Sequence, residues 1–234
     1  MLRNHTPSDF IQYLASACEG TGSDRLPPLS KLSKELKVSI ATLREQLEAA
    51  KTLGLVEARP RTGIRRMPYS FFPAVKQSLS YALAINQAYF QAFTDLRNHI
   101  EASYWHQAVR LLTSQDQDDL RSLVAQAWDK LRGNPIQIPH DEHRQMHLII
   151  YKRLDNTFVL GILEAYWEAY ETVGLNLYTD LHYLQQVWDY HQQMVDAICT
   201  SDYETGYRLL IEHTNLLASN PVTHPLSESQ TVKE

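Results

Sequence analysis

Cysteine is nearly missing from this chain. Its two cysteines, Cys18 and Cys199, lie far apart among 234 residues, which excludes a fold built on disulfides. Turn-forming residues are also sparse: 8 Gly and 10 Pro exclude collagen-like or low-complexity structure. No apolar run approaches the roughly 18 residues that a membrane span requires. The opening stretch MLRNHTPSDF has no apolar segment of the kind a secretory signal carries. A reducing cytoplasm, with no membrane partner, is therefore the expected location. Beyond residue 70 there is no long alternation of apolar and polar residues, so strands are not expected there. What the chain does have is 44% apolar residues, enough for an ordinary globular core.

Its charge is unevenly spread. Residues 1–70 hold 11 Lys/Arg against 7 Asp/Glu, whereas residues 71–234 hold 11 against 20. A basic first segment joined to an acidic body suggests that the first segment alone meets a polyanion. The composition changes at RRMPYSFFPAV, where Pro68 and Pro73 flank aromatics. The expected division is a head at 1–68, a linker at 69–74, a helical body at 75–218 and a frayed tail at 219–234.

In the head, Ser8 and Asp9 cap a short helix with Phe10, Ile11 and Leu14 on one face. The run LSKLSKELKVSIATLREQLEAAKTLGLVEARPRTGIRRM predicts a helix over Ser30–Leu36, a turn at Lys37–Ser39 and a second helix over Ile40–Leu53. Ser39 is placed to cap the second helix. Leu32, Leu36, Val38, Leu43 and Leu47 supply a shared core. Two short strands follow, turning near Thr62-Gly63, with Arg59, Arg61, Arg65 and Arg66 crowded around the turn. Guanidinium groups on a hairpin suit phosphate or minor-groove contacts. Helix, turn, helix and basic hairpin together read as a winged helix-turn-helix that binds double-stranded DNA. The plainer alternative is a small helical domain with a solvated basic loop.

The head resembles that of GntR-type transcription regulators. The resemblance rests on Leu26-Pro27, Leu32, Val38-Ser39, Leu43-Arg44-Glu45, Leu47, Gly54-Leu55-Val56 and Gly63. It implies DNA contacts from Ser30, Ser39, Ala41, Thr42 and Arg44, and from Arg59, Arg61, Thr62, Gly63 and Arg65 on the wing. The family commonly has arginine where this chain has Ser30 and Ile40, so only Arg44 of three usual DNA-contacting arginines remains. That departure implies a different operator, more reliance on the wing, or a head that binds DNA weakly.

Helical periodicity of three and four predicts segments near 75–92, 93–113, 117–132, 140–153, 156–174, 178–200 and 203–218. Mainly α structure, with an antiparallel all-helical bundle behind the winged head, is the expected fold. HDEHRQMHLIIY places His143 and His147 four residues apart, hence on one face of one helix. His191 and His213 lie on two later helices joined by the TSDYET turn, and antiparallel packing can bring them together. Imidazoles meeting inside a helical bundle make a transition-metal site; simple packing of the histidines is the other reading. Asp141 and Glu142 point elsewhere on the helix, and His140 lies near its start.

LRNHIEASYWHQAV, MHLIIYKRLDNTFV and YHQQMVDAICTSDYETGYRLLIEH resemble the FCD effector domain of the FadR branch, through Leu96, Arg97, Ile100, Glu101, His147, Asn156, His191 and His213. The resemblance implies a divalent metal at His143, His147, His191 and His213, with open positions for a small organic acid. The family's usual motif is Asp-x-x-x-His, and His143 stands where its carboxylate is expected. A neutral ligand there shifts preference from Mn²⁺ toward Zn²⁺, Ni²⁺ or Cu²⁺, unless His143 does not bind and the other three form the face. Arg97 can pair with an effector carboxylate or form a surface ion pair with Glu101. The overall expectation is a homodimeric regulator of a palindromic operator, acting as a repressor released by its ligand, with activation as the other direction and a metal-free dimeric regulator with packed histidines as the alternative. A zinc hydrolase is disfavoured, because His143-Arg-Gln-Met-His147 carries no general base within it.

Overall fold

The computed structural model describes residues 8–16, 24–60, 63–173 and 180–218. Arg61, Thr62 and the 219–234 tail, for which expectations were stated above, lie outside these residues. The chain divides into two compact units between Ser78 and Leu79.

The first unit orders three helices before a hairpin: α1 (Asp9–Ser16), α2 (Leu29–Leu36), α3 (Ile40–Thr52), β1 (Val56–Arg59) and β2 (Gly63–Arg66). Phe10, Leu14, Leu32, Leu43, Leu47, Ala50, Val56 and Ile64 form its core. The α2–α3 turn depends on Lys37, which takes the left-handed conformation at φ 57°, and on Ser33, whose hydroxyl donates to the Val38 carbonyl at 2.6 Å. Ser39 caps α3 by accepting from the Thr42 amide at 3.0 Å. The strands pair antiparallel with Val56 opposite Arg66 and Arg59 opposite Gly63. Arg25 adds a bridge to Arg65 along the outer edge. Gly63 sits at φ +82°, a conformation in which a side chain would be strained.

α4 (Phe72–Ile85) begins inside the segment expected to be a linker and runs past the boundary between the units. Pro73 does not stop structure here; at the second helical position its missing N–H would have had no intrahelical partner in any case. The remaining helices are α5 (Tyr89–Arg110), α6 (Ser114–Arg132), α7 (His140–Tyr151), α8 (Thr157–Thr172), α9 (Leu181–Cys199) and α10 (Tyr203–Ala218). The break between the first two body helices falls at residues 86–88 rather than at 92/93, in a turn where Asn86 Oδ1 accepts from the Ala88 amide at 2.9 Å. Other starts are legible as caps: Thr113 and Asp116 form a capping box on α6, Asn156 caps α8 and Asp180 caps α9.

The body's main core joins Trp105, Val109, Leu120, Val124, Met146, Ile150, Leu163, Trp188 and Ile198 from five helices. A second cluster joins Leu79 and Leu83 of α4 to Phe90, Tyr166 and Trp167. α9 and α10 pack as an antiparallel hairpin, and α10 meets α5 tightly at Gly206. A Cβ there would lie 2.7 Å from Trp105 Cζ2. Trp105 is fully buried and anchored by its indole N–H, which donates to the Tyr203 carbonyl at 2.9 Å. Gly206→Ala gains up to about 1 kcal/mol in helix propensity but overpacks a closed core at a cost of about 1–3 kcal/mol. The expected outcome is net destabilisation, read as a lower denaturation midpoint with an unchanged slope.

Candidate functional site

Three helices bring four histidines to one buried point. α7 contributes His143 and His147, α9 contributes His191, and α10 contributes His213; all four are buried, His191 and His213 completely. One ligating atom from each lies within 4.8 Å of the others. The tightest part is a trio: His147 Nε2 is 3.3 Å from His191 Nε2, which is 3.1 Å from His213 Nε2. Nitrogen ligands about 2.1 Å from one metal stand about 3.0 Å apart at a right angle and about 3.4 Å apart at the tetrahedral angle. These two separations therefore fit nitrogen ligands of a single metal ion. His143 packs edge-on against Trp167, ring centroids 4.7 Å apart, and lies equally close to His191. Its Nε2 is buried without a hydrogen-bond partner.

Burial holds all four imidazoles well below the ordinary histidine range, and the charges of neighbouring imidazoles and Arg97 add to this. They are neutral at pH 7, the protonation state in which imidazole ligates a metal.

α5 supplies the charged wall of the site. Arg97 and Glu101 are both fully buried and joined at 2.8 Å between Nε and Oε1. The ion pair anticipated between them exists, but it is interior rather than at the surface. Arg97 Nη2 also reaches His147 Nδ1 at 2.9 Å, and Nη1 donates to Asn98 Oδ1 at 3.1 Å. Its guanidinium lies 4.8 Å from the Tyr166 ring centre and 5.5 Å from that of Trp167, a cation–π setting. Burial pushes the Glu101 carboxyl up, opposed chiefly by Arg97. Glu142 also sits on α7 but is engaged by Lys130 at 2.7 Å, and His140 is half-buried at the helix start.

Glu101 was expected only as a surface partner of Arg97, so its place at the site is what sequence reasoning missed. Glu101 lies one turn after Arg97 on α5, a visible i,i+4 spacing, but nothing in the spacing tells which face turns inward. Trp167 carries a buried indole N–H without a partner, and no sequence signal distinguished it from a core tryptophan.

In the head, Ser30, Ser39, Ala41 and Arg44 are exposed on α2, its turn and α3, while Thr42 is half-buried and bonded to Ser39 Oγ at 2.9 Å. Ile40, standing where the family has arginine, is 41% exposed. Gln46 accepts from the Phe10 amide at 3.1 Å, so it holds α1 rather than facing outward. Arg59 and Arg65 are exposed on the two strands; Arg59 pairs with Glu57 at 2.6 Å.

A winged-helix head followed by a helical body that encloses a histidine cluster is the architecture of a two-part transcription regulator. Residues 92–216 match the FCD domain, and the chain belongs to the FCD-domain branch of the GntR-type transcription regulators. It is 24% identical over 192 residues to the uncharacterized HTH-type transcriptional regulator YieP of Escherichia coli strain K12, covering 78% of this chain and 80% of that protein. The structure of Streptococcus agalactiae GntR superposes with a TM-score of 0.61 at 17% identity, covering 89% of this chain and 95% of that one. The Listeria monocytogenes regulator Lar, described as controlling expression of the agr system and mediating virulence, superposes at 0.50 with 13% identity, over 96% and 100% of the two chains. Both structural likenesses show the fold. These relatives are transcription regulators rather than enzymes, which sets the hydrolase alternative aside. No helix among the described residues is long and apolar enough to cross a membrane.

Proposed function

We propose that this regulator acts as a homodimeric repressor of a palindromic operator, released when a small organic acid binds at a divalent transition metal held by His143, His147, His191 and His213. One observation carries the reading: four buried, neutral imidazoles at ligand spacing lie against the fully buried Arg97. The Arg97–Glu101 pair balances its own charge, so a divalent ion would add two uncompensated positive charges to a closed interior. Buried charge is costly unless paired, and a carboxylate bound at metal and arginine supplies the pairing. His143 in place of a carboxylate makes the donor set all-nitrogen, which favours Zn²⁺, Ni²⁺ or Cu²⁺ over Mn²⁺. The metal would act as a Lewis acid that holds the carboxylate, with Arg97 as its second anchor.

In the head, α3 would enter the major groove with Arg44 directed at the bases, while Ser30, Ser39, Ala41 and Thr42 line the same approach. Arg59, Arg61, Thr62, Gly63 and Arg65 would place the wing on the backbone or in the minor groove. Two-fold symmetry of the dimer would match the two half-sites. Organic acid binding changes operator affinity only through a difference in affinity between the two states of the dimer.

The test is a gel shift with a promoter fragment from the chain's own genomic neighbourhood, using metal-loaded protein with and without small organic acids. Arg44→Ala is expected to weaken specific binding about 5- to 150-fold, the worth of one bidentate base contact. Binding should also weaken steeply between 50 and 200 mM salt, on the order of the loss several phosphate contacts produce. Equal retention of this fragment and an unrelated one, with no response to any acid, would sink the reading.

A further inference from the structure

We propose that Glu101 is a positioning residue that decides which nitrogen of His147 carries the proton, in competition with Arg97. This rests on the metal reading above and concerns how the chain prepares one of its ligands.

The protons can be placed from the contacts. Arginine has only N–H donors. Arg97 Nη2, 2.9 Å from His147 Nδ1, therefore donates to it, and Nδ1 accepts. A neutral imidazole accepting at Nδ1 carries its proton at Nε2, so Nε2–H of His147 donates across 3.3 Å to His191 Nε2. His191 Nε2 is then the acceptor, with its single in-plane lone pair turned on His147, while His213 Nε2 lies 3.1 Å from the same atom. In this arrangement the Nε2 of His147 carries a proton where a metal ligand needs a lone pair. The trio has the spacing of a ligand set but the wrong tautomer at His147.

For His147 to ligate through Nε2, its proton must sit at Nδ1 and find an acceptor there. Glu101 provides it. Oε2 lies 3.3 Å from Nδ1, is fully buried, and has no hydrogen-bond partner. Leaving such an atom unsatisfied costs about 1–3 kcal/mol or more for a charged group, so the orphaned oxygen is explained if its partner is the alternative tautomer of His147.

The exchange has a consequence for Arg97. When Nδ1–H turns to Glu101, Nη2 loses its acceptor. The guanidinium remains fixed through Nε to Glu101 Oε1 at 2.8 Å and Nη1 to Asn98 at 3.1 Å, and Nη2 becomes an oriented, unpaired donor inside the site. A carboxylate is then bound more readily by the metal-ready state than by the metal-free one, and each occupant favours the other.

The experiment is long-range ¹H–¹⁵N NMR on protein labelled with ¹⁵N-histidine, with the His147 signals assigned by their loss in His147→Gln. Metal-free protein should show an unprotonated Nδ1 on His147, and Zn²⁺-loaded protein a protonated one. In a chelator competition, Glu101→Gln should bind Zn²⁺ about 10- to 100-fold more weakly than the parent, the usual effect of losing such a partner. Glu101→Asp, which keeps the carboxylate, should recover part of that loss. A protonated Nδ1 already present without metal overturns the proposal, as does a Glu101→Gln variant that binds Zn²⁺ like the parent. Failure of the parent to bind Zn²⁺ at all is a different result, and it removes the metal reading itself.

Discussion

Saturating Zn²⁺ is expected to raise the melting temperature of the helical body by roughly 5–10 °C, and to leave a His147→Ala/His191→Ala variant unmoved. A ligand held only by the folded state, at about a hundred times its dissociation constant, adds about 2.7 kcal/mol. For a chain of this size each kcal/mol moves the midpoint by about 2–4 °C. The double substitution removes one member of the Nε2 trio from α7 and the central one from α9. It also opens a cavity, so the variant will melt earlier than the parent; the informative quantity is the shift on adding metal, which loss of packing alone does not abolish. Elemental mass spectrometry on untagged, dialysed protein should find near one metal per chain in the parent and little in the variant. His143→Asp supplies the carboxylate of the family's Asp-x-x-x-His motif and should move preference toward Mn²⁺, because an oxygen anion suits the harder ion. A parent unmoved by Zn²⁺, Ni²⁺ and Mn²⁺ alike would return the four histidines to packing.

The parts of this structure legible in the sequence are those written in local chemistry. Caps mark where helices begin: Ser39, Asn156 and Asp180 each accept from amides of the first turn. The α9–α10 hairpin was readable because a polar turn separates two apolar periodicities, and its antiparallel course alone brings His191 to His213. What could not be read is which face of α5 turns inward. Leu96 and Leu111, which fit apolar spacing, are 45% and 44% exposed, while Arg97 and Glu101 are fully buried. Periodicity ranks residues by hydrophobicity, so it assigns a paired arginine and glutamate to the surface. The pair is tolerated inside because each charge meets the other and Arg97 lies over two aromatic rings. The start of α4 was missed for a related reason. Pro73 reads as a breaker, yet within the first turn it interrupts nothing.

Asp116→Asn is expected to destabilise the helical body by about 1.5–3 kcal/mol, the worth of hydrogen bonds to a charged group, with the difference shrinking in acid. The carboxylate is 1% exposed and over-supplied with donors. Oδ2 accepts from the Thr113 amide at 2.8 Å, the Thr113 hydroxyl at 2.7 Å and Arg153 Nε at 2.7 Å. Oδ1 meets Lys152 Nζ at 2.6 Å and Arg153 Nη2 at 3.1 Å. One side chain thus closes the N-terminus of α6 and ties it to the end of α7, the helix that carries His143 and His147. Arg153 and Lys152 are 44% and 37% exposed, so water screens their share, and the loss stays below that for a fully buried pair. Arg153 above all, with Lys152 and Thr113, holds the carboxyl far below the usual carboxylate range against the opposing effect of burial. The folded pKa therefore lies below the unfolded value of about 3.9. Above that value the ionised carboxylate contributes its full stabilisation; as pH falls from there toward the depressed folded pKa the contribution is lost. Asparagine cannot titrate, so parent and variant stability curves should run parallel at neutral pH and converge below about pH 4. Urea denaturation of both proteins across pH 2–7 measures this directly, and curves that stay parallel into acid would show that Asp116 acts through its shape and not its charge.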